Sequence, residues 1–512
     1  MEILLIVLYL IVNFLSLKYN IHIFQLNYYT PSTQLKWTMK NWKKFLGIII
    51  LNVIGIVTII LNNKIGIIVS VIALLINAYI VLEKNVKKKI VFTKRVIRLF
   101  ITNYIILIAL GFILKNNIDI FNITLLLINA VIPIYMILLN YINKPINNAI
   151  NQHYVNDAKK ILKSMPNLKI ITITGSYGKT STKNYLAKIL SEKYNVLYTP
   201  GNFNTLLGIT RTIRTQLKPT HEIFVCEVGI DRVGEMEKIN KLVQSNFCMI
   251  TAIGPQHLET FKTQENIIKS KLKIMDGLKD GGVAFLNLDN EYLRNSKIER
   301  KYIGYGIENN DNNKMKITYV SYGAKGLEFS VNDGKDEYKF NSKLLGDHNL
   351  VNLFGAITVA EYLGVPMKEI ANAVKHIESV EHRLKLIPGN EYNLIDDSYN
   401  SNPIGATNAL KVLGKMQGIR ILITPGMVEL GDKQYEYNYN FGEVAAKNAD
   451  YIFLVNKQQT LPIYNALMDQ KYPSGKVEVV NDFNTAMEKA RKVENNGKEK
   501  YILIENDLPD NY

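Results

Sequence analysis

Ile170-Ile171-Thr172-Ile173-Thr174-Gly175-Ser176-Tyr177-Gly178-Lys179-Thr180-Ser181-Thr182-Lys183 reads as a buried strand, a glycine turn and the start of a helix. The apolar, β-branched run before the turn favours a strand. Gly175 and Gly178 let the backbone turn sharply and approach a ligand with no Cβ in the way. The amides of the turn and of the new helix then converge on one point, which suits phosphate oxygens. Lys179 adds a point charge for the outer phosphates, and the Thr180 hydroxyl reaches Mg2+. The spacing departs from the common G-x-x-x-x-G-K-[ST], since position 173 is Ile and the first glycine comes later. Placed after a strand and before the helical run 184–190, the stretch is a nucleotide site rather than a surface turn. Gly175, Gly178, Lys179, Thr180 and Ser181 are its candidate nucleotide-binding residues.

Working outward, 512 residues imply several domains. The net charge of +16 sits largely between apolar segments near the N-terminus. Membrane topology accounts for that placement better than nucleic acid does, so no nucleic-acid partner is expected. Cys226 and Cys248 lie far apart with no metal spacing, which indicates a reducing compartment and no disulfide framework.

Five apolar segments precede the phosphate loop, at 3–17, 45–62, 65–82, 99–115 and 121–140. A spanning helix needs about 20 apolar residues, with a lower limit near 17. The last four qualify and the first is borderline. A cleaved signal peptide is the rival reading for 1–17, but it lacks a basic leader and a small-residue cleavage site. Lys18, Lys36, Lys40, Lys43 and Lys44 fill one loop, and Lys84, Lys87, Lys88, Lys89, Lys94, Arg95 and Arg98 another. The other two carry only Lys64 and Lys115. Basic loops stay in the cytoplasm. Five spans over 1–145 therefore put the N-terminus outside and everything after about 141 in the cytoplasm. Asn52, Asn77, Asn103 and Asn129 are expected to hydrogen-bond between helices. Residues 146–168 read as a polar linker ending in an amphipathic helix over 155–165, stopped by Pro166-Asn167.

Beyond the loop, the run 223–227 is a buried strand ending in Glu227. Ligands sit at such strand ends in parallel sheets, so Glu227 is a candidate Mg2+ ligand. His257 follows a second strand of the same kind. Then come Glu265-Asn266-Ile267-Ile268-Lys269-Ser270-Lys271-Leu272-Lys273, Leu345-Gly346-Asp347-His348-Asn349, His382-Arg383, Asp396-Asp397-Ser398-Tyr399-Asn400-Ser401-Asn402-Pro403 and Gly426-Met427-Val428-Glu429-Leu430-Gly431. Candidate strands at 392–395, 420–424, 451–455, 476–480 and 501–504 alternate with helices, as in a Rossmann-like α/β domain.

In this order, over about 169–455, the set resembles the Mur ligases of cell-wall synthesis. It looks most similar to the type that adds D-alanyl-D-alanine to UDP-N-acetylmuramoyl-tripeptide. The resemblance implies an α/β fold with a central P-loop ATP-binding domain over 169–385 and a C-terminal Rossmann-like domain over 386–512, here behind a helical transmembrane domain. It implies ATP and Mg2+ as cofactors. Lys179 and Thr180 would hold the triphosphate and one Mg2+, with Glu227 and His257 as metal ligands. Lys271 matches the lysine that the family carbamoylates to hold a second metal. Asn349 would contact adenine, Arg383 the phosphates and Asp397 the ribose. Lys179, His257 and Lys271 are thus the candidate catalytic residues. The bare sequence does not choose Lys271 over Lys269 or Lys273.

The implied reaction is ATP-dependent amide formation through an acyl phosphate, joining a cell-wall precursor carboxylate to an amino acid or dipeptide. Three departures bear on the substrates. Membrane helices stand where the family's soluble UDP-sugar-binding domain is expected. Thr205 replaces an asparagine, and Lys273 a glutamate. Thr424-Pro425-Gly426-Met427 replaces a Gly-Asp-Met pattern, and Asn438 a histidine. Two other readings share these residues: a membrane ligase of another acid, such as a poly-γ-glutamate capsule synthase, and a transporter or sensor with an ATPase domain. No partner subunit is legible.

Overall fold

The computed structural model describes residues 2–27, 29–82, 89–308, 315–323, 326–379, 382–399, 402–494 and 496–506. Lys84, Lys87, Lys88, Asn400, Ser401 and the stretch 507–512 lie outside the described residues. The described chain divides into two compact units, with the division between His153 and Tyr154.

The first unit is helical: α1 (Glu2–Leu26), α2 (Pro31–Lys40), α3 (Trp42–Leu61), α4 (Asn63–Val81), α5 (Lys94–Ile113), α6 (Ile118–Ala130) and α7 (Ile132–Lys163). Among the described residues, four helices are long and apolar enough to cross a membrane: Leu5–Leu26, Trp42–Leu61, Lys64–Val81 and Lys94–Ile113. The borderline first segment is thus a full-length helix. The polar residues that shorten its sequence signal, among them Asn13, Ser16, Asn20 and His22, point into the unit and are buried.

The segment 121–140, in contrast, is not one straight helix. It breaks at Val131, where α6 and α7 meet at 91°. Pro133 is the second residue of α7, and its ring disfavours helical backbone just before it and supplies no N–H. The expected linker is also corrected. Residues 146–163, expected as a linker with a helix only over 155–165, continue α7 past Pro145 to Lys163.

Ile50, Val53, Ile54 and Val57 on α3 are exposed, as are Ile101, Ile105 and Ile108 on α5. Apolar stripes of this extent are costly in water. Inside, Asn103 Nδ2 donates to Asn13 Oδ1 at 2.8 Å, and Asn129 Nδ2 to Asn52 Oδ1 at 3.3 Å. Three of the four expected asparagines therefore bond between helices. Asn77 is buried with no partner for either side-chain atom among the described residues.

The described residues of the second unit form three sheets. The first has the spatial order Val196–Tyr198, Ile223–Glu227, Lys169–Thr174, Ser245–Ile250, Leu278–Asn287, Tyr302–Tyr305, all parallel. The first strand in sequence lies mid-sheet, between two strands reached by crossovers in opposite directions. That switch point opens a crevice at the carboxyl ends of the strands. Core residues cover both faces, with Ile171, Ile173 and Phe285 on one side and Phe224, Cys226 and Cys248 on the other. A three-stranded antiparallel meander spans Lys316–Gly323, Gly326–Asn332 and Glu337–Ser342.

The third sheet is ordered Lys385–Ile387, Asn393–Asp397, Lys500–Glu505, Ile419–Thr424, Tyr451–Val455, Val477–Val480. Its five parallel strands match the five expected runs to within two residues at either end. The antiparallel edge strand pairs Lys385 with Asp396, so residue 385 belongs to the C-terminal sheet.

Candidate active site

The strand Lys169–Thr174 ends, the chain turns, and α8 (Lys179–Leu190) begins at the crevice. Gly178 caps α8 with φ of 80°, in the left-handed region. A Cβ there would lie 2.4 Å from Asn352 Oδ1, so the turn requires glycine twice over. A Cβ on Gly175 would lie 2.1 Å from Thr251 Oγ1. Ser181 is buried in the first turn of α8.

Two lysines converge on one loop carbonyl. Lys179 Nζ donates to Gly175 O at 2.7 Å, and Lys271 Nζ donates to the same oxygen at 3.0 Å. Lys271 lies on the helix Gln264–Leu272 and is fully buried. Lys271 is the buried one of three alternate lysines. Lys269 is not buried, and Lys273 pairs with Glu237 at the surface. Burial, and then the Lys179 charge, hold the Lys271 amine well below the ordinary lysine range. Lys179 itself is pushed down to about 8 by burial and by Arg383, against the pull of Glu227.

Glu227 ends its strand buried, with hydrogen bonds at one carboxylate oxygen and an ion pair at the other. Thr180 Oγ1 donates to its Oε1 at 3.0 Å, Asn204 Nδ2 to the same oxygen at 2.9 Å, and Lys183 Nζ lies 3.0 Å from Oε2. Burial pushes this carboxyl up, but Lys183, Lys179 and Asn204 outweigh it and hold it below the usual carboxylate range. Lys183 also donates to Gly201 O at 2.9 Å. Lys183 and Asn204 are the site residues that the sequence reading missed. One signal was present for Lys183: it follows Lys179 by four residues, on the same helix face.

The other expected residues are distributed differently. His257, at φ 55°, places Nδ1 3.1 Å from Glu429 Oε2, a residue of the C-terminal domain. Among the described residues, no three His, Cys, Asp or Glu side chains group so as to hold a metal by themselves. Asn349 is buried and engaged at both ends: it accepts from the Tyr185 hydroxyl at 2.9 Å and donates to Leu345 O at 2.8 Å. An adenine contact would have to add to or replace one of these bonds. Arg383 stacks 4.4 Å from the centre of the Tyr399 ring, and its charge acts on Lys179 and Asp397.

Two of the substituted positions have a structural role. Thr205 caps the helix Leu206–Gln216 by accepting from Gly208 N at 3.3 Å. Asn438 is buried and clamps the 426–431 loop, accepting from Met427 N at 2.8 Å and donating to Met427 O at 2.9 Å.

Asp397 Oδ1 accepts from Leu384 N at 3.0 Å. Burial pushes its carboxyl up to about 6, against Arg383 and this amide. A raised carboxyl means stability fully present below the ordinary value of 3.8 and lost as pH rises through about 6. Asp397→Asn keeps the acceptor and removes the penalty. The expected result is a higher Tm at about pH 7.5 and no difference below about pH 4, read from thermal unfolding of the full chain across a pH series.

The Mur ligase middle domain matches residues 173–360, and the Mur ligase glutamate ligase domain matches residues 382–504. The chain is 30% identical over 294 residues to the UDP-N-acetylmuramoyl-tripeptide--D-alanyl-D-alanine ligase of Bacillus subtilis, covering 56% of this chain and 63% of that protein. It is 31% identical over 294 residues to the Escherichia coli protein of the same name, covering 57% and 65%. It thus spans just under two thirds of the length of these relatives. Its fold is similar to crystal structures of MurF from Acinetobacter baumannii (TM-score 0.62, 23% identity, 70% of this chain and 77% of that one) and of MurF from Thermotoga maritima in complex with ADP (TM-score 0.60, 22% identity, 70% and 80%). Carrying both Mur ligase domains in order, together over more than half its length, the chain belongs to the Mur ligase family.

Proposed function

We propose that this protein is a membrane-anchored, ATP-dependent amide ligase of peptidoglycan precursor synthesis, similar to the enzymes that add D-alanyl-D-alanine to a UDP-N-acetylmuramoyl tripeptide. The observation that carries this reading is the convergence of Lys179 and Lys271 on the Gly175 carbonyl, beside the Thr180–Glu227 pair. A phosphate loop alone serves many hydrolases. A second, buried lysine under the loop matches the ligase pattern.

Amide formation from a carboxylate needs a better leaving group than hydroxide. Phosphoryl transfer from ATP supplies it as an acyl phosphate; the amine attacks, and phosphate leaves from the tetrahedral intermediate. The protein's task is positioning and charge neutralisation. The loop amides and Lys179 hold the outer phosphates. Thr180 and Glu227 offer adjacent hard oxygens, the donor set that Mg2+ takes alongside phosphate and water. Mg2+ would draw charge from the transferring phosphoryl group. Lys271, as its carbamate, would hold a second ion, and His257 a metal or its outer shell. Arg383 and Asp397 would meet the phosphates and the ribose.

The basic loops favour an odd number of crossings, with the bent α6–α7 pair as the fifth, a cytoplasmic catalytic unit and an external N-terminus. The test uses full-length protein in neutral detergent, ATP, and candidate acceptors and amines offered singly and in pairs. ADP release is expected only when a muramoyl-peptide acceptor and D-alanyl-D-alanine are both present, with an amide product of the summed mass less water. ADP release without either partner, and with no amide product, would support the ATPase-coupled transporter or sensor instead.

A further inference from the structure

Arg95 and Arg98 lie one turn apart near the start of α5, on one face. Arg95 Nη2 donates to Asn140 Oδ1 at 2.9 Å, and Arg98 Nη2 to Asn147 Oδ1 at 2.5 Å, both on α7. The Arg95 guanidinium also sits 3.8 Å from the centre of the Tyr29 ring. All of these partners are neutral. The ion-paired arginines of the described residues are Arg214, Arg232 and Arg420; Arg95 and Arg98 are not among them.

Several donors at this place have no acceptor. Arg95 Nε, Arg98 Nε and Asn147 Nδ2 are buried without a hydrogen-bond partner among the described residues. Asn140 and Asn147 are themselves more than nine-tenths buried. Between these two asparagines on α7, Asn143 Nδ2 donates to Thr102 Oγ1 at 2.9 Å.

Two half-buried guanidiniums side by side are unfavourable unless an anion offsets them. The chain supplies little such charge. Residues 1–153 hold fifteen Lys or Arg against three carboxylates, Glu2, Glu83 and Asp119. The site lies at the end of an apolar helix that directly follows a basic loop, the level at which a bilayer presents its headgroups. Guanidinium forks match phosphate oxygens in pairs, and two adjacent forks suit a phosphate bearing two charges.

We propose that Arg95, Arg98 and the Asn147 amide form a binding site for the dianionic phosphate headgroup of a membrane lipid, a phosphate monoester or a diphosphate. This rests on the membrane reading of α1–α7 and not on the ligase reading. Asn140 is a positioning residue that holds the Arg95 fork against α7.

The test uses full-length protein in neutral detergent and native mass spectrometry, with four probes at equal concentration: phosphatidic acid, farnesyl diphosphate, phosphatidylglycerol and phosphatidylcholine. Phosphatidic acid and farnesyl diphosphate are expected to bind at least about tenfold tighter than the other two, the scale of one charge-assisted hydrogen bond. Arg95→Gln with Arg98→Gln should abolish that preference. Arg95→Lys with Arg98→Lys keeps the charge, guards against loss of folding, and should retain part of it. Equal binding of phosphatidic acid and phosphatidylglycerol, or a preference unchanged in the Gln pair, would overturn the site. Competition by inorganic diphosphate as strong as by farnesyl diphosphate would assign the site to a free anion and overturn the lipid. The membrane reading fails separately, if the native chain is released from membranes by alkaline carbonate.

Discussion

Lys271→Ala is expected to lower ligation by about 10²–10³-fold or more while leaving nucleotide affinity within a few-fold of the native protein. The lysine is buried, its Nζ sits 3.0 Å from Gly175 O, and it shares that carbonyl with Lys179. Burial and the Lys179 charge hold its amine well below the ordinary lysine range, which favours the neutral form. A neutral amine attacks carbon dioxide: an N–C bond forms, a proton leaves, and the product is an anion. An anion at this position pairs with Lys179 and offers oxygens to a cation, whereas a protonated lysine would repel both. Lys179, Thr180 and the loop amides remain in the variant, so ATP still binds. Two measurements check this: the rate of product formation, and nucleotide binding by calorimetry. Depleting dissolved carbon dioxide should lower native activity reversibly and leave the residual activity of Lys271→Ala unchanged. Near-normal ligation by Lys271→Ala would sink the carbamate assignment.

The strand, turn and helix around Gly175–Thr180 were legible because each signal is local. A β-branched run, two glycines and a helical run carry the local structure within about twenty residues, and Glu227 at the end of the next buried strand follows from sheet topology. The C-terminal strands were legible for the same reason. The helix boundaries at the N-terminus were less so. Polar residues buried inside the unit dilute the apolar signal of α1, and the bend at Val131 depends on where Pro133 falls relative to the helix start. Side-chain partners across long sequence distances left no local signal. The pairing of His257 with Glu429 joins positions 172 residues apart, and the Tyr185 bond to Asn349 joins positions 164 apart. Asn438 read as a departure from a family pattern, yet it satisfies the backbone of the 426–431 loop through two hydrogen bonds with Met427 and makes a third with Gln434 O on its own helix. The separation of Lys271 from Lys269 and Lys273 is likewise a matter of burial, which the spacing of three alternate lysines does not encode.

Glu227→Gln is expected to remove both stability and chemistry, and a second substitution separates the two. Glu227 and Lys183 are each 1% exposed and lie 3.0 Å apart. Gln at 227 keeps an oxygen for Thr180 and Asn204 but leaves Lys183 buried beside a neutral amide, with only Gly201 O as acceptor. Breaking a buried pair from one side costs about 3–5 kcal/mol, because the remaining charge is uncompensated. Glu227→Gln should therefore lower Tm by several degrees in thermal unfolding of the full chain. Adding Lys183→Met removes the stranded charge and should restore most of that loss. It should not restore Mg2+-dependent ATP turnover if the carboxylate is the metal ligand, since Met and Gln together offer no negative charge. The pH dependence has a definite sign. The Glu227 carboxyl is held below the ordinary glutamate value, so its contribution is present above that value and is lost as pH falls through the folded one. The Tm gap between native protein and Glu227→Gln should thus be full at neutral pH and close on acidification. Recovery of turnover in the Glu227→Gln, Lys183→Met double variant would show that the carboxylate serves only to neutralise Lys183.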